Sequence, residues 1–83
     1  MRHKRVNPYP IILQMLIRDW HAPHEVNLEL RLSGCHVAAE ATTARIRDLR
    51  KVRYGDHDVI KRLRAGESYY EYRVLPAERQ EAA

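Results

Sequence analysis

Val37-Ala38-Ala39-Glu40-Ala41-Thr42-Thr43-Ala44-Arg45-Ile46-Arg47-Asp48-Leu49-Arg50-Lys51-Val52-Arg53 is the stretch on which the reading of this chain turns. At 3.6 residues per turn, Ala38, Thr42, Ile46, Leu49 and Val52 fall on one side. Arg45 and Arg53 flank that stripe. His36, Glu40, Thr43, Ala44, Arg47, Lys51 and Tyr54 lie opposite, with Arg50 at the border. The spacing predicts a helix over 37–53 that packs by a narrow apolar stripe and turns a threonine-and-cation face outward. Gly55 ends it.

Upstream, Ser33-Gly34 breaks the chain before this helix. Residues 24–32 are ambiguous. Val26, Leu28, Leu30 and Leu32 alternate with Asn27, Glu29, Arg31 and Ser33 as in a strand, yet Val26 and Leu30 also share a helical face. Leu, Glu and Arg favour helix, and Pro23 with Glu25 suits a helix N-terminus, so a short helix over 24–32 is expected. Asn7-Pro8 is a further start signal, with Asn as cap and Pro at the first helical position. In the helix it opens, Ile12, Leu13, Met15, Leu16, Ile17 and Trp20 cover an arc of about 200°. Gln14, Arg18 and Ile11 lie on the other side. That stripe is wider than one core face needs; burial within its own domain is the first expectation, and a surplus could cover the wing or a second subunit in a homodimer.

Downstream, Val59–Leu63 and Tyr69–Leu75 read as two strands joined by Ala65-Gly66-Glu67. Tyr70, Tyr72 and Val74 alternate with Glu71 and Arg73, which puts both tyrosines on a core-facing side. Pro76 stops the second strand. Three units follow from these signals: a flexible basic arm over 1–6, one domain over 7–76 and a polar tail over 77–83. Helix, short helix, Gly34 break, longer helix and basic hairpin is the order of a winged helix-turn-helix. The expected fold is therefore α+β, three helices plus a C-terminal β-hairpin wing. In that architecture the third helix enters the major groove, where outward side chains reach base edges, and the wing meets phosphates.

Charge distribution agrees with this expectation. The net charge of +4 on 83 residues separates little by itself. By segment, Arg2, Lys4 and Arg5 make a basic arm. Residues 43–64 carry Arg45, Arg47, Arg50, Lys51, Arg53, Lys61, Arg62 and Arg64 against only Asp48, Asp56 and Asp58. The stretches between and after are mildly acidic. A concentrated basic segment suggests an anionic partner, above all nucleic acid. The candidate DNA contacts are Thr43, Arg47, Arg50 and Lys51 on the helix and Lys61, Arg62 and Arg64 on the wing. Arg2, Lys4, Arg5 and His36 are further candidates. Arg45 lies beside the buried stripe and is expected in an ion pair with Asp48 or Glu71.

Thr43-Ala44-Arg45-Ile46-Arg47-Asp48-Leu49-Arg50-Lys51 also resembles the recognition-helix segment of small winged-helix proteins encoded mainly by phages and prophages. Glu25-Val26 with Leu30 and Leu32, and Tyr70-Glu71-Tyr72-Arg73-Val74-Leu75, are similar to that group's second helix and closing strand. The resemblance covers about residues 24–75 and implies a DNA-binding transcriptional regulator. One departure stands out. Cys35 to Thr43 lie between Gly34 and Ala44, where the pattern calls for five or six residues. Either the third helix starts early or the turn is enlarged, and both would displace His36, Glu40 and Thr43.

Other chemistries find little support in these residues. A chain this short is one domain with a modest core and no room for a large enclosed active site. His21 and His24 are spaced i, i+3, but Pro23 lies between them and no third ligand has suitable spacing, so no metal is expected. Cys35 and His36 are adjacent and do not face each other as a nucleophile–base pair. Gly34, Gly55 and Gly66 form no phosphate-cradling motif. The expectation is a non-enzymatic protein without cofactor. Cys35 is the single cysteine, which fits a reducing, cytoplasmic setting. The basic start lacks a cleavage site, Arg18 and Asp19 follow soon after it, and apolar runs such as Ile11–Leu13 are far too short to span a membrane. Two alternatives accompany the duplex-DNA reading. One is a phage-encoded inhibitor that binds a host protein on a winged-helix scaffold, such as an anti-CRISPR protein or a regulator antagonist. The other is an excisionase-like protein that bends DNA.

Overall fold

Asn7 and Pro8 open the first helix as expected: the Asn7 side chain accepts from the Tyr9 backbone N–H at 3.0 Å. The computed structural model describes residues 6–75; Arg2, Lys4, Arg5 and the rest of residues 1–5 of the expected arm, and Pro76 with the tail, lie outside them. The elements are α1 (Pro8–Arg18), α2 (Pro23–Leu32), α3 (Ala39–Asp48), β1 (Asp58–Leu63) and β2 (Tyr70–Leu75). A 3-10 turn, Val52–Tyr54, lies between α3 and β1. Three helices followed by an antiparallel hairpin make the α+β winged-helix layout expected from the sequence.

Helical spacing prevails in α2. Val26 and Leu30 are fully buried, while Leu28 and Leu32 are exposed. The alternation at 26–32 was thus the misleading signal, and Pro23 and Glu25 the informative ones. The Glu25 carboxylate reaches back to accept from the Ala22 N–H at 2.8 Å, the half of a capping box that does not need a polar side chain at the cap. In α1, Ile12 and Leu16 are fully buried, and Tyr9, Ile11, Leu13 and Met15 pack partly buried against the same core. Ile11 therefore points inward and Ile17 outward, opposite to the wheel's assignment. The wide stripe is consumed by α2, α3 and β2, which all touch α1. Ile17 is the one large apolar α1 side chain that the described residues leave exposed. The surface expected to pair two copies through α1 is correspondingly small.

The third helix is shorter than the predicted 37–53. Residues 33–38 link α2 to Ala39, so of the nine residues between Gly34 and Ala44 four belong to the turn and five, 39–43, to α3. That turn is pinned from inside. Asn27 donates to the Val37 carbonyl at 2.7 Å and to Thr42 Oγ1 at 3.0 Å, and the buried Thr42 hydroxyl donates to Ala38 O at 3.1 Å. Cys35 joins the core, and its Sγ donates to Val6 O at 3.4 Å. At the other end α3 stops at Asp48, and Lys51 is already extended, with ψ 145°. The cause lies downstream. His57 N–H takes the Leu49 carbonyl and Asp56 N–H takes the Lys51 carbonyl, at 2.8 and 2.9 Å, so a continuing helix would lose both partners. Val52 consequently leaves the apolar stripe and is 83% exposed.

The hairpin pairs Asp58 with Leu75 through Leu63 with Tyr70. His21 adds a third, single-residue rung: it exchanges backbone hydrogen bonds with Tyr72 at 3.0 and 2.8 Å. Because Tyr72 turns its backbone groups to His21, Lys61 and Tyr72 form a wide pair, and alternation makes Val59 and Val74 another. The Val59 carbonyl thus points away from β2. Val59, Tyr72 and Val74 face the helices and are buried; Tyr70, on the same side but beyond the helices, is 48% exposed, against the expectation that it joins the core.

Candidate nucleic-acid interface

Thr42 and Ile46 are fully buried, so the opposite side of α3 is the only one it can offer to a partner. Glu40 and Arg47 are exposed there, with Thr43 and Ala44 half-buried beside them. Arg47 has no ion pair or side-chain hydrogen bond among the described residues. His36 is exposed in the turn just before the helix.

Arg50 and Lys51 lie past the end of α3 rather than on it. The Arg50 guanidinium donates twice to the outward Val59 carbonyl, at 3.2 and 2.9 Å. Lys51 is exposed and pairs with Asp48 at 3.1 Å. Asp48 also accepts from the Tyr9 hydroxyl at 2.7 Å and lies 3.6 Å from Arg45, which gives Arg45 the ion pair expected of it. These contacts, the Tyr9 hydrogen bond foremost, hold Asp48 below the usual carboxylate range. Burial first, and then the hydrogen bond to Asp48, push the Tyr9 phenol up to about 12. The Tyr9 ring stacks on Tyr54 at 4.2 Å, which ties the turn after α3 to the start of α1.

The wing cations do not form one row. Lys61 projects on the helix-facing side, its ammonium 4.8 Å from the centroid of the Tyr70 ring. Arg62 and Arg64 project on the other side, where strand pairing places Glu71 opposite Arg62. Both converge on that buried carboxylate, Arg62 Nε at 2.6 Å and Arg64 Nε at 2.8 Å. Arg64 also reaches Glu25 of α2 at 2.7 and 3.1 Å and the Tyr69 hydroxyl at 3.3 Å. Arg62 further lies 4.0 Å over the Trp20 ring. Each charge is matched: Glu71 and Glu25 are both lowered, Glu25 to about 2, chiefly by the Arg64 hydrogen bonds. The expected free basic wing is in this respect a neutral latch between hairpin and α2.

Sequence reasoning missed two features. Leu28 and Leu32, 58% and 74% exposed, line the outer side of α2. Val52 and Arg53 stand out on the turn after α3; the Gly55-Asp56 pair that folds this turn was the available signal. Among the described residues no group of His, Cys, Asp and Glu is arranged to hold a metal, and no helix is long and apolar enough to cross a membrane. No family model, curated protein or solved structure matches the chain.

Proposed function

We propose that the protein binds duplex DNA by laying the outward side of α3 in the major groove, in the manner of a transcriptional regulator. The observation that carries this reading is Arg47: exposed on the outward face near the C-terminal end of α3, with no ion pair or side-chain hydrogen bond among the described residues. A free guanidinium on such a face suits bidentate contact to guanine. Thr43 lies one turn before it. Lys61 is the wing cation left for a phosphate, while Arg62 and Arg64 shape the wing rather than bind. Anisotropy titrations of labelled duplex at 50 and 200 mM salt test the reading. Affinity is expected to fall steeply with salt, and Arg47→Ala to weaken binding by about 1–3 kcal/mol at 50 mM. Equal binding by parent and variant, or no binding by the parent, refutes it.

A second reading, docking on a host protein, draws on Leu28 and Leu32. Two neighbouring exposed leucines on one helix face are unneeded for DNA and suited to an apolar contact. A host protein retained by the parent and lost by Leu28→Ser/Leu32→Ser, together with no duplex binding, favours that reading.

A further inference from the structure

The sequence from Arg50 to Arg53 places one exposed apolar side chain among three cations, and the fold fixes it there. Val52 is the most exposed large hydrophobic residue among those described, at 83%. It does not sit on a slack loop. Tyr54 N–H and Asp56 N–H both bond to Lys51 O, Gly55 N–H bonds to Val52 O, and His57 N–H bonds to Leu49 O, all within 3.0 Å. Gly55 has φ 110°, a conformation open to glycine, and the His57 ring packs where a Cβ would project. Tyr54 is stacked on Tyr9, and the Arg53 guanidinium lies 5.4 Å from the Tyr54 ring centroid. Lys51 and Arg53 remain exposed on either side of Val52.

We infer that this turn is a second DNA contact, a preformed clasp on the sugar–phosphate backbone beside the groove that α3 enters. The inference rests on the duplex-binding reading above. The match is one of alternation. Along a strand of DNA, every deoxyribose is flanked by two phosphates. In the sequence of this turn, one small exposed apolar residue stands between two exposed cations. Val52 packs against the sugar, and Lys51 and Arg53 meet the phosphates on each side. A single valine is too little to form the apolar core of a protein–protein interface, which draws on some 20–30 residues a side. Asp48, which pairs with the exposed Lys51 at 3.1 Å, keeps Tyr9 and Arg45 when Lys51 exchanges it for a phosphate; Asp56 and Asp58 are exposed on either side of His57, past Gly55. Because the backbone is already fixed, binding needs no ordering of this segment. The contact is blind to sequence, since sugars and phosphates are the same at every step.

The test uses the full chain and two labelled duplexes of unrelated sequence, with affinity measured across a salt series. Arg53→Ala is expected to weaken binding to both duplexes alike and to reduce the slope of log K against log salt by about 0.9, one phosphate's share. Val52→Ser is expected to weaken binding while leaving the slope unchanged. Both residues are exposed, so thermal midpoints should match the parent and exclude misfolding as the cause. If Arg47→Ala weakens binding while Arg53→Ala and Val52→Ser keep the parent's affinity and slope, the clasp is overturned and the duplex-binding reading survives. If the parent binds neither duplex, both fall. Equal retention of the parent by an acidic polypeptide such as polyglutamate would also overturn the clasp, because it would show charge attraction without the sugar contact.

Discussion

Glu25 has three tasks at once: it closes the start of α2 on the Ala22 N–H, pairs with Arg64, and thereby ties the hairpin to the helices. Its carboxyl is lowered from 4.5 to about 2, first by the Arg64 hydrogen bonds. A depressed acid stabilises the fold above its unfolded value and loses that contribution as pH falls through the folded one. Stability from this group is therefore present above pH 4.5 and lost between 4.5 and 2, less solvent screening of a partly exposed pair. Thermal unfolding across that window should show a falling midpoint for the parent and a flatter curve for Glu25→Gln. Asn27 is the second residue with an outsized effect. Its amide holds both the turn carbonyl of Val37 and the buried Thr42 hydroxyl, so Asn27→Ala should cost about 1–3 kcal/mol in denaturant unfolding. Neither partnership was legible beforehand. A sequence shows that Glu25 can cap and that Arg64 is basic, but a pairing between residues 39 positions apart depends on the fold.

At the level of elements, the helices were legible where side chains repeat on one face and ambiguous where two periods coincide. Val26 and Leu30 fit both a strand and a helix; burial of that pair without Leu28 and Leu32 decided for helix. Leu30→Ala should therefore cost about 2–5 kcal/mol, and Leu28→Ala less than about 0.5, in the same unfolding measurement. The end of α3 was illegible for a different reason. Leu49 and Val52 continue the stripe on paper, but the Leu49 and Lys51 carbonyls are claimed by His57 and Asp56 from beyond Gly55. Gly55→Ala forces both a left-handed φ on a side chain and a Cβ 2.4 Å from His57 Nε2. It should destabilise by more than about 1 kcal/mol and cost the turn its order, seen as faster amide exchange at residues 54–57.

For the whole molecule, the order of elements carried the architecture, and the segmental charge is what suggests the proposed anionic partner. The division of those charges between binding and structure could only come from three dimensions: β-pairing put Glu71 across from Arg62, and the hairpin's approach to α2 gave Arg64 a second carboxylate. A last consequence concerns molecules meeting one another. Among the described residues β1 has β2 on one side and no strand on the other, and an uncovered strand border is a template for further chains. Arg50 occupies the outward carbonyl of Val59 there, and Lys61 and Arg62 burden the same border with charge. Arg50→Met would unblock it, and light scattering on warming should then reveal self-association that the parent resists. The arginine just past the end of α3 is, on this view, a guard against aggregation.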